Sequence, residues 1–217
     1  METTLARTGI SPLVREALEF ATAAHAGQVR KYLGVPYITH PIAVARMVLR
    51  FGGDNGMVAA ALLHDTIEDC DVTEGELRGK FGADITQLVV DLTDVSRPEH
   101  GPRAVRKAMD REHVAGASPR AKTIKSFDLA HNTRSIVRHD PRFARTYLTE
   151  KAALLDVLAT PETGDPFPAP PPAGAAERVG RGQPVCFRRR RQRNRFRRLV
   201  LRAAGRCPGH LRRPADV

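Results

Sequence analysis

The chain has 217 residues, 41% hydrophobic and 27% charged, which is the balance of a globular protein with room for one domain and an appendage, or for two small domains. No apolar run approaches the roughly 20 residues that span a bilayer, and the three cysteines (Cys70, Cys186 and Cys207) lack the paired spacing of a disulfide framework or a thiolate zinc site. The net charge of +11 belongs to one end. Residues 1–160 hold 21 Lys and Arg against 20 Asp and Glu, whereas residues 161–217 hold 14 Arg against four acids, so a whole-chain argument for nucleic-acid binding does not apply to the body.

The N-terminal stretch METTLARTGISPLV has no signal-peptide apolar region, and a cytosolic protein is expected. Ser11 and Pro12 then supply an N-cap and a first-turn proline for a helix running to about Ala26 and stopping at Gly27. His40–Pro41 opens a second helix that ends near Gly52–Gly53. Asp54 caps a third, which contains ALLHDTIEDC (61–70). Thr73 and Glu76 form a capping box for a short helix closed by Gly82. Residues 85–95 have helical spacing, although their Val-rich middle also suits a strand. Residues 103–115 read as a polar helix, and Ser118–Pro119 and Asp140–Pro141 open two long helices, the last reaching about Leu158. With no alternating strand pattern and no Gly-rich phosphate loop, the expectation is an all-α helical bundle. Residues 161–217 are Pro/Gly/Arg-rich and are expected to form a disordered tail. The alternatives for its arginine-rich part (186–206) are an arm that binds nucleic acid, or a segment translated out of frame.

Chemistry gathers at His64–Asp65 and Glu68–Asp69. On a continuous helix His64 would sit over Glu68 and Asp65 over Asp69, and carboxylates that close are most readily held by a bound cation. The plainer reading is a charged helix end facing water. Partners for a cation are available elsewhere in His25, His40, His131 and Asp128, the last flanked by Phe127 and Leu129 in a mostly apolar helix, where a buried carboxylate needs a partner. Two imidazoles and two carboxylates from three helices make a divalent-metal set.

The series GQVRK, PYITHP, HDTIED and DLAHN, in that order over roughly residues 12–158, resembles the HD-domain phosphohydrolases, and more narrowly the hydrolase domain of RelA/SpoT-type alarmone enzymes and small alarmone hydrolases. The resemblance implies a helical, Mn²⁺-dependent domain over residues 1–160 that removes the 3′-pyrophosphate of (p)ppGpp; as a departure from the long bifunctional enzymes, nothing after residue 160 resembles their synthetase or regulatory domains, and a hydrolase-only protein is expected. The resemblance also implies metal ligation by His40, His64, Asp65 and Asp128, handling of the attacking water by Glu68 and Asp69, and substrate binding by Arg30, Lys31, Asn132 and Lys125. His25 and His131 remain structural or secondary. Where the family commonly reads Lys-Leu-Ala-Asp, this chain reads Lys125-Ser126-Phe127-Asp128, and the bulk of Phe127 is expected to alter the pocket more than the metal set. The implied partner is a small nucleotide, with no membrane and with nucleic acid only through the tail. The alternatives are an HD phosphohydrolase for another nucleotide, or a non-catalytic nucleotide or nucleic-acid-binding protein.

Overall fold

Short polar side chains start the helices. In the computed structural model, which describes residues 11–158, the Ser11 hydroxyl accepts from the Val14 amide to open α1 (Pro12–Ala24). Asp54 accepts from Met57 to open α3 (Asn55–Leu63), and Thr73 from Glu76 to open α5 (Glu74–Leu92). Ser118 accepts from Ala121 to open α7 (Pro119–His139), and Asp140 from Phe143 at the head of α8 (Pro141–Leu158). Each cap satisfies an amide that the first helical turn leaves without a partner, for about 1 kcal/mol. The remaining helices are α2 (Thr39–Phe51), the single turn α4 (Thr66–Asp69) and α6 (Arg103–Gly116). Gly52, at φ 94°, closes α2 in the left-handed conformation that glycine adopts without strain.

The described residues contain no β-strand, only an isolated bridge between Val29 and Pro36, and the all-α expectation holds. The Val-rich segment from residue 85 is helical through Leu92. Gly82, at φ 79° and ψ 170°, kinks α5 where the short helix was expected to close. The tail beyond residue 160 and its arginine-rich part lie outside the described residues.

Every residue of α3 from Met57 to Leu63 is buried. Three consecutive alanines, Ala59 to Ala61, let α1, α2, α5 and α7 approach closely around it. Leu62, Leu63, Val44, Val48, Leu77, Val89 and Ile124 fill this core. A smaller cluster of Val114, Leu129, Tyr147, Leu148 and Leu155 joins α6, α7 and α8. The start of α2, the end of α3 and the middle of α7 carry the residues of interest.

One expectation is corrected. The HDTIED stretch is not a continuous helix: α3 ends at Leu63, and His64 and Asp65 form a break before α4. The Thr66 hydroxyl donates to the Leu63 carbonyl (2.7 Å) and His64 Nδ1 meets the Ala61 carbonyl (2.9 Å). Side chains thus bond back to carbonyls of the last turn of α3 at this junction. Across the break the Asp69 amide still donates to the Asp65 carbonyl at 2.8 Å.

Candidate active site

His40, on the first turn of α2, and His64, at the end of α3, are almost fully buried, and their rings meet edge to face with centroids 5.1 Å apart. His40 Nε2 lies 3.1 Å from Asp128 Oδ1 and 3.5 Å from Asp65 Oδ2. His64 Nε2 lies 3.2 Å from Asp65 Oδ2 and 3.8 Å from Asp128 Oδ1. Among the described residues, neither Nε2 atom has hydrogen-bonding geometry to any partner. The two imidazoles and a carboxylate oxygen of Asp65 fall within 4.8 Å of one another. Two buried nitrogens without partners, facing two carboxylates, fit a divalent cation of borderline hardness.

The far sides of both rings are fixed. His64 Nδ1 is held by the Ala61 carbonyl, which directs its proton away from the cluster and leaves Nε2 free to ligate. His40 Nδ1 lies 2.7 Å from His131 Nδ1, with the two rings stacked at 4.9 Å. Burial, His40 and Arg30 hold the His131 pKa down to about 4, so its ring is neutral and can accept from His40. Burial also opposes charge on His64, but Asp65 and Asp128 outweigh it and push its pKa up to about 9. The cluster therefore holds a proton where it would hold a cation. Asp128 lies well below the usual carboxylate range despite its burial, because His40, His64 and Lys125 favour its charged form.

Around this centre, the Tyr37 hydroxyl donates to Asp65 Oδ2 (2.8 Å). Asn132 donates to Asp128 Oδ1 (2.7 Å) and accepts from Arg30 Nη2 (2.9 Å), and the Arg30 guanidinium lies over the Tyr37 ring. Glu68 is exposed, and its carboxylate accepts from the Asp94 amide. Burial and the Asp94 charge push its pKa up to about 7. Burial and Asp65 likewise raise Asp69.

The HD-domain pattern matches residues 17–161, two thirds of the chain. The chain belongs to the HD-domain family. It is similar to the guanosine-3′,5′-bis(diphosphate) 3′-pyrophosphohydrolase MESH1 of Xenopus tropicalis, at 39% identity over 132 residues that cover 59% of this chain and 72% of that protein. The protein of the same name from Homo sapiens is 41% identical over 129 residues, 58% of this chain and 70% of that one. A solved structure described as a metazoan ortholog of SpoT that hydrolyzes ppGpp superimposes with a TM-score of 0.67 at 24% identity, covering 91% of this chain and 98% of that one; this likeness establishes the shared fold.

Within this HD domain the structure gathers most of the residues expected from the sequence. His40, His64, Asp65 and Asp128 converge, with Arg30 and Asn132 beside them. Lys125 donates to the Leu92 carbonyl (2.9 Å) and lies 3.8 Å from both Asp94 and Asp128. Lys31 is not drawn in: it is exposed, with its ammonium over the ring of Tyr32, which is itself bonded to Asp140. The expectation for Phe127 is also corrected. Its ring packs edge to face on Phe51, at the opposite end of α2 from His40, and joins the apolar core, so its bulk is spent away from the cluster.

Sequence reasoning passed over Tyr37 and Asp94, and it gave His131 no specific role. Tyr37 stood inside PYITHP, three residues before His40, and a tyrosine beside a ligand motif was the available signal. Asp94 carried none, since its contact with Glu68 spans 26 residues of chain.

Proposed function

We propose that this HD domain hydrolyses the 3′-pyrophosphate of guanosine 3′,5′-bis(diphosphate) to GDP and pyrophosphate. The metal is Mn²⁺, held by His40, His64, Asp65 and Asp128. The observation that carries the reading is the pair of buried Nε2 atoms, on His40 and His64, that face two carboxylates and lack hydrogen-bonding partners. The names of the similar proteins support the choice of substrate. Residues 1–160 are taken as the hydrolase domain, acting in the cytosol.

When bound, a divalent ion offsets charge on the phosphoryl oxygens and acidifies water. The chain's own residues supply the rest. Glu68, with a pKa near 7, suits the acceptance of the water's proton at neutral pH, a contribution on the order of 10²–10⁴ in rate. Asp69 is the second acid at the same water. The water oxygen joins phosphorus as the bond from phosphorus to the 3′ oxygen breaks, and the proton taken up by Glu68 or one from solvent completes the 3′-hydroxyl of GDP. Tyr37 fixes the Asp65 carboxylate by its hydroxyl. Arg30, with its planar guanidinium, offsets substrate charge, and the solvent-exposed Lys31 adds a second cation when the nucleotide binds. Asn132 contributes to guanosine binding, and Lys125 faces phosphate.

The test is a product assay on the full-length chain after chelation, with Mn²⁺ or Mg²⁺ returned, over guanosine and adenosine polyphosphates. GDP and pyrophosphate in equal amounts, with Mn²⁺ the better ion, are expected. Release of monophosphate, or preference for an adenosine or unphosphorylated 3′ position, overturns the substrate assignment.

A further inference from the structure

A small, solvent-open recess lies between α6, α7 and α8 on the far side of Lys125. Four cations line it, Lys107, Arg111, Lys125 and Lys151, against the carboxylates of Asp94, Asp110 and Glu150. The carboxylates are already engaged. Glu150 accepts two bonds from Arg103, at 2.7 and 2.8 Å. Asp110 accepts from the amide and hydroxyl of Ser96 and from Lys107, and Asp94 accepts from Lys107 at 2.6 Å. Arg111 and Lys151 make no hydrogen bond or ion pair among the described residues, and the Lys151 ammonium meets only the face of Tyr147, at 5.4 Å. Burial and the neighbouring Lys125 hold Lys151 below the usual lysine range. Arg111 and Lys151, left without ion pairs in a partly closed recess, are costly to hold charged unless an anion joins them.

Lys125 ties the recess to the His/Asp cluster, because its ammonium lies 3.8 Å from Asp128 on one side and from Asp94 on the other. We propose that the recess is an oxyanion subsite for the distal phosphate of a pyrophosphate group whose proximal phosphate lies at the His/Asp cluster. Lys151 and Arg111 are its unassigned ligands. The inference rests on the hydrolysis reading above for the placement of the proximal phosphate. Tetrahedral oxyanions suit this lining, since Arg111 can offer two parallel donors and Lys151 a mobile point charge.

The experiment titrates inorganic pyrophosphate calorimetrically into the metal-free full-length chain and into Lys151→Met, Lys151→Arg and Arg111→Gln. Lys151→Met should weaken pyrophosphate about tenfold or more, and Arg111→Gln several-fold, while Lys151→Arg stays near the parent. Methionine removes a buried charge at similar volume, so the fold should persist, and the melting temperature of each variant checks this. An unchanged pyrophosphate Kd in Lys151→Met overturns the proposal. Steady-state kinetics with 3′-diphosphate and 3′-monophosphate nucleotides separates the two sources of the anion. A KM raised by Lys151→Met for the diphosphate alone assigns the subsite to the substrate's own phosphate. An unchanged KM beside weakened free pyrophosphate assigns it to the released product. Lys151-dependent pyrophosphate binding in a chain that turns over neither nucleotide would count against the hydrolysis reading and leave the subsite standing.

Discussion

Strip the metal from the protein and raise the pH, and the His/Asp cluster should lose its hold on the fold. In the metal-free state His64 is charged, because Asp65 and Asp128 overcome the effect of its burial and push its pKa up to about 9 from 6.5. A histidine whose pKa is raised on folding contributes stability that is fully present below its unfolded value and disappears as the pH climbs through the folded one. The difference between 6.5 and about 9 corresponds to about 3 kcal/mol, lost across that window. For a chain of this size that is about 6–12 °C in melting temperature. His131, with its pKa depressed, acts at lower pH: its stability is present above 6.5 and is lost as pH falls through about 4. Glu68, raised to about 7, gives up its share mostly below the window. The assay is a series of thermal melts of the chelated full-length chain at pH 6.5, 8 and 9, beside His64→Gln, which controls for the general relief of charge repulsion in a basic chain. The parent should fall relative to His64→Gln by most of the stated amount. Metal-loaded protein should lack the decline, since a ligating His64 is neutral throughout, and apparent metal affinity should rise about tenfold per pH unit over the same range. Parallel curves for the parent and His64→Gln between pH 7 and 9 would refute the electrostatic account of the cluster.

Replacing Glu68 by Gln should lower kcat roughly 100-fold while metal content and nucleotide Kd stay near the parent's, measured by metal analysis and single-turnover kinetics; a parental rate would return Glu68 to the role of a solvated acid. Asp128→Ala should lose both metal and activity, because two buried imidazoles would then face one carboxylate, and a metal-replete variant would exclude Asp128 from the ligand set. His131→Leu should weaken metal affinity about 10- to 100-fold by removing the acceptor that orients His40, and His131→Asn, which keeps an acceptor, should recover part of it in the same titration. Ending the chain at residue 160 should leave hydrolysis within tenfold of the full-length value, and a larger loss with helicity preserved would give residues 161–217 a part in the active site.

Legibility from sequence followed the range of the interactions. The caps at Ser11, Asp54, Thr73 and Ser118 could be read directly, because each hydroxyl or carboxylate reaches an amide only three residues ahead. Asp128 stood out as a carboxylate in an apolar setting. The break after Leu63 was not legible, since no glycine or proline marks it. The orientation of Phe127 was also hidden, since its partner Phe51 is 76 residues away in sequence. The pairs that organise the centre join residues far apart, Arg30 with Asn132 across 102 positions and His40 with His131 across 91. No local pattern encodes such contacts; the packing of α7 against α2 creates them.

The interruption between α3 and α4 has a geometric consequence for the pair His64–Asp65. Neighbours on an uninterrupted α-helix project about 100° apart around its axis, since 3.6 residues complete a turn. Two consecutive side chains on such a helix diverge and cannot both be aimed at one point. Here both reach the same point, with His64 Nε2 and Asp65 Oδ2 separated by 3.2 Å. Asp65, at φ −96° and ψ −1°, has left the helical path by just enough to bring its carboxylate round to the imidazole. Restoring helix continuity there would retain every ligand in the sequence and yet disperse them in space.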